Sequence, residues 1–171
     1  MNPGAAGLTE FDRRANDLFG FVPTLFDELV RSPAVANAYL SGLEALQDGV
    51  LTDGERNIIM LAVSAANDST YCVKVHRSLA REEDAEAEDL DLITMQQLPN
   101  DMRLRALTQT AWRILDKRGR LDIDDLKYLG SYGIEHRQIY EVIAITGVKM
   151  LANYIQHIGN IGKHGANGAT R

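Results

Sequence analysis

Residues 51–76 read LTDGERNIIMLAVSAANDSTYCVKVH, and this stretch decides the fold. Thr52 and Glu55 have the spacing of a capping box, with Glu55 reaching back to the Thr52 N–H. Behind it, Ile58 to Ala66 is apolar on almost every side, which predicts a central, buried helix. Asn67-Asp68 breaks that helix, and Ser69-Thr70-Tyr71-Cys72-Val73-Lys74-Val75-His76 opens the next at the same corner. With Ser69 as N-cap, its hydroxyl accepts from the N–H at N2 or N3, and Cys72 falls at N3. Cys72 and His76, four residues apart, then share one helix face. A first-turn cysteine faces the positive end of the macrodipole, which favours thiolate over thiol. The pattern proposes an activated thiol with a partner imidazole. Its competitor is a lone cysteine serving as a small buried hydrophobe.

Outward from this core the chain is punctuated by further helix signals. Thr9 and Asp12 start a helix carrying Phe11, Ala15, Leu18 and Phe19, and Gly20 stops it. Pro23 suits N1 of the next, with Leu25, Phe26, Leu29 and Val30. Ser32-Pro33 opens a third, bearing Val35, Ala38, Tyr39, Gly42 and Leu46, which ends at Asp48-Gly49. Downstream, the acidic run Arg81 to Asp91 reads as a solvated helix face or loop, without the ordered ligand spacing of a metal site. Leu90 to Leu98 reads as a short helix stopped by Pro99. Asn100 or Asp101 caps a long helix with Leu104, Leu107, Ala111, Trp112 and Leu115, closed by Arg118-Gly119. Asp122 caps a short one, and Gly130 and Gly133 frame the turn after it. The last helix starts near Glu135 and carries Ile139, Val142, Ile143, Ile145, Val148, Leu151, Ala152 and Ile155; the Gly-rich stretch from Gly159 reads as a frayed tail. Trp112 and Tyr154 are expected in the core, His136 and His157 at a surface or interface.

Period-two runs are absent. The expected fold is all-α, a compact multi-helix bundle of about eight helices in a single domain, 1–171, with 1–8 and 160–171 flexible.

Bulk properties narrow the function classes. Apolar residues make up 45% and charged residues 25% of the chain, the balance of a soluble globular protein. The net charge of −6 disfavours nucleic acid and anionic membranes as partners. A single cysteine rules out an internal disulfide framework. Met1 to Leu8 lacks the basic and apolar regions of a signal peptide, and no apolar run approaches the roughly 18 residues of a spanning helix. The expected place is cytoplasmic. No phosphate loop, nucleotide fingerprint or zinc pattern is present, so no cofactor or metal is expected.

The sequence resembles the alkylhydroperoxidase D-like family of the carboxymuconolactone decarboxylase superfamily over roughly Phe19 to Gly159. Phe19-Gly20-Phe21-Val22-Pro23 resembles the family's entry motif FGxVP, and Ser32-Pro33 and Tyr39 recur in the next helix. Residues 51–76 are similar, without gaps, to the family's LSxREREhhxLxVSxxNxCxYCxxxH. DIDDLKYLGSYGIEHRQIYEVIAI, residues 122–145, is similar to its downstream half. The resemblance implies an all-α fold, a homo-oligomer (trimer or hexamer) and thiol-based peroxide reduction by a Cys-x-x-Cys pair with a glutamate–histidine relay. Carried over by position, the second cysteine is Cys72 and the histidine His76. The first cysteine falls on Ser69 and the relay glutamate on Asn57.

Those two departures define the expectation. Without a second thiol, an oxidised Cys72 has no resolving cysteine within the chain, so an external thiol must complete any cycle. Ser69 is expected to donate to the Cys72 thiolate. The Asn57 carbonyl is expected to orient the His76 ring without holding it charged. Glu55 is committed to the cap. The implied function is a one-cysteine, thiol-dependent peroxidase or oxidoreductase in antioxidant defence. Cys72 and His76 would be catalytic, with Ser69, Asn57 and Tyr71 in support and a small peroxide and a thiol reductant as partners. Two alternatives stand beside it. One is a carboxymuconolactone-decarboxylase-like enzyme using His76 on a small carboxylated substrate. The other is a catalytically silent member with Cys72 as inert core.

Overall fold

The computed structural model describes residues 9–167, with side-chain placement through Gly159. Among the described residues there are nine helices and no strand: α1 Glu10–Phe19, α2 Phe26–Leu29, α3 Pro33–Leu46, α4 Asp53–Ala66, α5 Thr70–Glu82, α6 Ala87–Thr94, α7 Met102–Lys117, α8 Ile123–Ser131 and α9 His136–Asn167. The fold is all-α, as the capping pattern and unbroken helical periodicity require. Residues 1–8 and 168–171, expected to be flexible, lie outside the described residues. The α9 backbone continues as helix past Gly159, where the sequence suggests fraying, to Asn167.

Local chemistry places most of the boundaries. Thr9–Asp12, Thr52–Glu55 and Asp122–Asp125 each form a full capping box, and the Asp101 carboxylate accepts from the Leu104 N–H. Gly20 ends α1 at φ 75°, a conformation open to glycine without strain. Two expectations fail on local grounds. Pro23 does not open a helix: its carbonyl accepts from the Phe26 N–H in a turn, and α2 is a single turn beginning at Phe26. The helix expected over Leu90 to Leu98 ends at Thr94, because Gln96 turns to φ 57°, and begins earlier, at Ala87. One member of the acidic run, Asp89, is buried rather than solvated: its carboxylate accepts from the Asn100 and Asp101 N–H groups and so fixes the entry to α7.

The predicted central helix is central. On α4, Ile58 to Ala65 is buried without interruption, and the helix packs chiefly on α5, α7 and α9. Each such fully buried aliphatic side chain contributes about 1.5–3 kcal/mol. Trp112 on α7 lies against this core and donates its indole N–H to the Ala62 carbonyl at 3.1 Å. Tyr154, expected inside, is 50% exposed on α9. Gly42 on α3 faces Val148 on α9, and a Cβ there would meet Val148 Cγ2 at 2.9 Å, so glycine sets the approach of these helices. The result seats α9 across α4 and over the start of α5.

Candidate active site

Cys72 stands at N3 of α5 and His76 one turn further on; both are 1% exposed. The sharp corner between α4 and α5, with Asp68 at φ 52° and the Ser69 N–H on the Ser64 carbonyl at 2.9 Å, aims this face inward at α9.

A chain of polar contacts fixes the protonation pattern. Asn57 Nδ2 donates to the Asp53 carbonyl one turn back at 3.1 Å, so its Oδ1 is the atom facing the imidazole. That oxygen lies 3.0 Å from His76 Nδ1 and can only accept, so Nδ1 carries the hydrogen. His76 Nε2 is then a lone pair, and it accepts from Lys149 Nζ at 2.8 Å. The ring also packs against Phe19, with centroids 6.5 Å apart. Burial, and secondarily the Lys149 charge, pushes His76 well below the ordinary histidine range. The imidazole is neutral and spoken for on both nitrogens.

Lys149 is the residue that sequence reasoning missed. It comes from α9, is 2% exposed, and brings an amine to the junction of His76 and Cys72. Burial lowers its pKa, and the neighbouring Cys72 acts in the opposite direction. Tyr39, also buried, is held up in pKa by burial first and by Cys72 and Tyr71 after it. The amine near the thiol is thus a lysine's, where the sequence had offered only an imidazole. A signal existed: Thr146, Lys149, Asn153 and Gln156 recur on the helical face already marked by Val142, Ile145 and Ala152. All four are buried.

The supporting residues divide. Asn57 joins the array as described. Ser69 occupies the N-cap position, but its side chain makes no capping bond and is not committed to the sulfur; its hydroxyl donates to Gln156 Oε1 on α9. α9 crosses the corner and brings an acceptor to this hydroxyl's hydrogen, while no first-turn N–H reaches its oxygen. Tyr71 turns away: its hydroxyl accepts from the Thr24 N–H at 2.8 Å and ties α5 to the α1–α2 connection. Glu55 serves its cap and also accepts from Arg103 Nε at 2.7 Å. Two buried polar atoms on the same α9 face, Thr146 Oγ1 and Asn153 Nδ2, have no hydrogen-bond partner.

A cavity of about 330 Å³ opens on the far side of Asn57 from His76. Phe19, Asn57, Met60 and Leu79 line it, together with Asp17, Asp53, Glu82, Glu83 and Arg56. Its carboxylates outnumber its one guanidinium, which makes it poor ground for an anion. Cys72 does not line it. Among the described residues no group of three His, Cys, Asp or Glu side chains is placed to hold a metal ion, and no helix is long and apolar enough to cross a membrane.

Known proteins agree with this architecture. The model of the carboxymuconolactone decarboxylase family matches residues 33–116. This segment contains Asn57, Ser69, Tyr71, Cys72 and His76, whereas Lys149 and Gln156 lie beyond it. The chain is similar to the alkylhydroperoxidase AhpD core of a peroxidase-related protein from Ralstonia eutropha JMP134, at 28% identity and a TM-score of 0.74, covering 86% of this chain and 80% of that one. A peroxidase-related protein from Silicibacter sp. TM1040 shares the fold at 20% identity and a TM-score of 0.70, over 88% of this chain and 80% of that one. So does a cysteine-to-alanine variant of the debrominase Bmp8, crystallised in complex with 2,3,4-tribromopyrrole, at 18% identity and a TM-score of 0.69, over 92% of this chain and 86% of that one. No curated protein matches the chain in sequence.

Proposed function

We propose that this protein is a one-cysteine, thiol-dependent peroxidase of the alkylhydroperoxidase-like type. Cys72 attacks a small peroxide and an external thiol returns it to the reduced state. The observation that carries the reading is the buried array Asn57–His76–Lys149–Cys72. Burying a lysine amine beside an imidazole costs stability unless the amine is paired, and a Cys72 thiolate would pair it. An ammonium beside a sulfur favours the nucleophilic thiolate. When the thiolate attacks the peroxide O–O bond, one oxygen joins sulfur as a sulfenic acid and the other leaves as alkoxide. Lys149 is placed to give that alkoxide its proton. His76, neutral and locked by Asn57, holds the amine against the sulfur.

The cavity wall that this array shares, at Asn57, is rich in carboxylates, which weighs against a carboxylated substrate entering from that side. A silent member would leave the array without a purpose. A homo-oligomer belongs to the same reading, supported by the exposed apolar residues Tyr140, Ile143, Tyr154 and Ile158 along the outside of α9. Sedimentation as a monomer at micromolar concentration would remove that part. The function is tested by peroxide consumption with a small thiol reductant, with Cys72→Ala as blank. The expected result is turnover that vanishes in Cys72→Ala. Equal consumption by the two proteins would reject it.

A further inference from the structure

The chain has one cysteine, so a Cys72 sulfenic acid meets no second thiol within its own molecule. Where another thiol would stand three residues earlier, Ser69 is turned toward Gln156. What Cys72 does have near it is an amine: Lys149 Nζ lies 2.8 Å from His76 Nε2, one turn along the same buried face of α5. We propose that Lys149 resolves oxidised Cys72, its Nζ displacing water from the sulfenic acid to form a reversible sulfur–nitrogen bond between α5 and α9. The inference rests on the peroxidase reading above, which supplies the peroxide as oxidant.

The steps balance. The Cys72 thiolate takes one oxygen of the peroxide; the O–O bond breaks, sulfur is oxidised, and the peroxide is reduced to alcohol or water with a proton from the Lys149 ammonium. This leaves a neutral amine next to S–OH. The nitrogen lone pair then attacks sulfur, the S–O bond breaks, and hydroxide departs as water with a proton from the amine. His76 Nε2, 2.8 Å from Nζ, is the free lone pair that can relay this proton. Sulfenic acids are known to condense with nitrogen as well as with thiols. An external thiol reverses the bond: it attacks sulfur, the S–N bond breaks, and the amine regains a proton. A mixed disulfide remains, and a second thiol clears it.

Three features favour this route over further oxidation. Lys149 is 2% exposed, so its amine is not lost to bulk water. Burial lowers its proton affinity, which increases the share of nucleophilic amine. Cys72 is 1% exposed, so the amine is already in place inside the same buried array when the sulfenic acid forms.

The test is the intact mass of the full-length protein after one equivalent of hydrogen peroxide, without reductant. The expected product has lost two hydrogens, remains one chain in mass, and returns to the starting mass with dithiothreitol. With a single cysteine, no disulfide within the chain can mimic it. After trypsin, the peptide containing Cys72 should be joined to one containing an uncleaved Lys149. In Lys149→Met and Lys149→Arg the two-hydrogen loss should vanish, replaced by sulfenic acid trapped by dimedone, and by sulfinic acid when a second equivalent of peroxide is added. If the parent instead gains oxygen and traps dimedone as fully as Lys149→Met does, the Lys149 bond is overturned and the peroxidase reading stands. Persistence of the two-hydrogen loss in Lys149→Met would also overturn it. A parent whose mass and free thiol are unchanged by peroxide overturns both.

Discussion

The buried face of α9 changes character halfway along. Ile139, Val142 and Ile145 are apolar and sit in the hydrophobic core; Thr146, Lys149, Asn153 and Gln156 continue the same stripe and are polar. Every one of them is 8% exposed or less, so exposure does not explain the switch. What differs is the surface opposite. The polar half meets the α4–α5 corner, with His76, Ser64 and Ser69 as its partners. The apolar half is what a helix does to fold. The polar half leaves Thr146 Oγ1 and Asn153 Nδ2 unpaired, at about 1–3 kcal/mol for each buried polar group left without a partner. The stretch of α9 that gives up stability is the one that faces the α4–α5 corner.

The sharpest way to break this comparison is to truncate one side chain in each half. Ile145→Ala should destabilise by about 2–5 kcal/mol, since it opens a cavity in a packed core. Lys149→Met should cost less, at most about 1–3 kcal/mol, since it leaves His76 Nε2 without its donor but removes a buried amine. Urea denaturation measures both. A large loss of stability in Lys149→Met would make Lys149 a structural residue and remove the contrast.

Acid sharpens it next. His76 is held below its ordinary value of 6.5, so the folded protein binds fewer protons there than the unfolded chain. Stability should therefore fall as pH drops through 6.5 toward the folded-state value, by up to about 1.4 kcal/mol per pH unit from this group. His76→Gln should flatten that part of the profile. An unchanged slope would mean that the imidazole is not buried in neutral form. Lys149 follows the same sign at the alkaline end: its lowered pKa makes stability recover as pH rises toward the ordinary lysine value of 10.5. Lys149→Met should abolish that rise.

The smallest expected effect is at Asn57. Asn57→Ala removes the acceptor that fixes the His76 tautomer and should slow peroxide turnover by about five-fold, the worth of about one hydrogen bond. Asn57→Asp keeps an acceptor and should restore most of the rate. Equal loss in both would show that the tautomer does not matter.

The helices, their caps and the central place of α4 were legible because they follow from contacts within a turn or two of sequence: Thr52 with Glu55, Asp122 with Asp125, and the unbroken apolar run behind Thr52. That Cys72 and His76 share a face followed from their spacing on α5, and Asn57 on the imidazole from the family resemblance; the His76 Nε2 partner is Lys149 rather than the thiol. Ser69 was misread because its partner, Gln156, is brought near only by tertiary packing. Tyr71 was placed in the site by motif, yet its hydroxyl goes to Thr24. Lys149 was passed over because a lysine on a helix reads as surface by default. Its spacing from Ile145 and Ala152 carried the contrary information, and a stripe read for position before polarity would have recovered it.

The account turns on Lys149 making Cys72 reactive, and the direct measurement is the rate of free-thiol loss under excess hydrogen peroxide near neutral pH. One cysteine per chain means that the signal reports Cys72 alone. The parent should lose its thiol at least about 100-fold faster than Lys149→Met, the usual worth of a positioned proton donor in such a step. Equal rates in the two folded proteins would contradict the account.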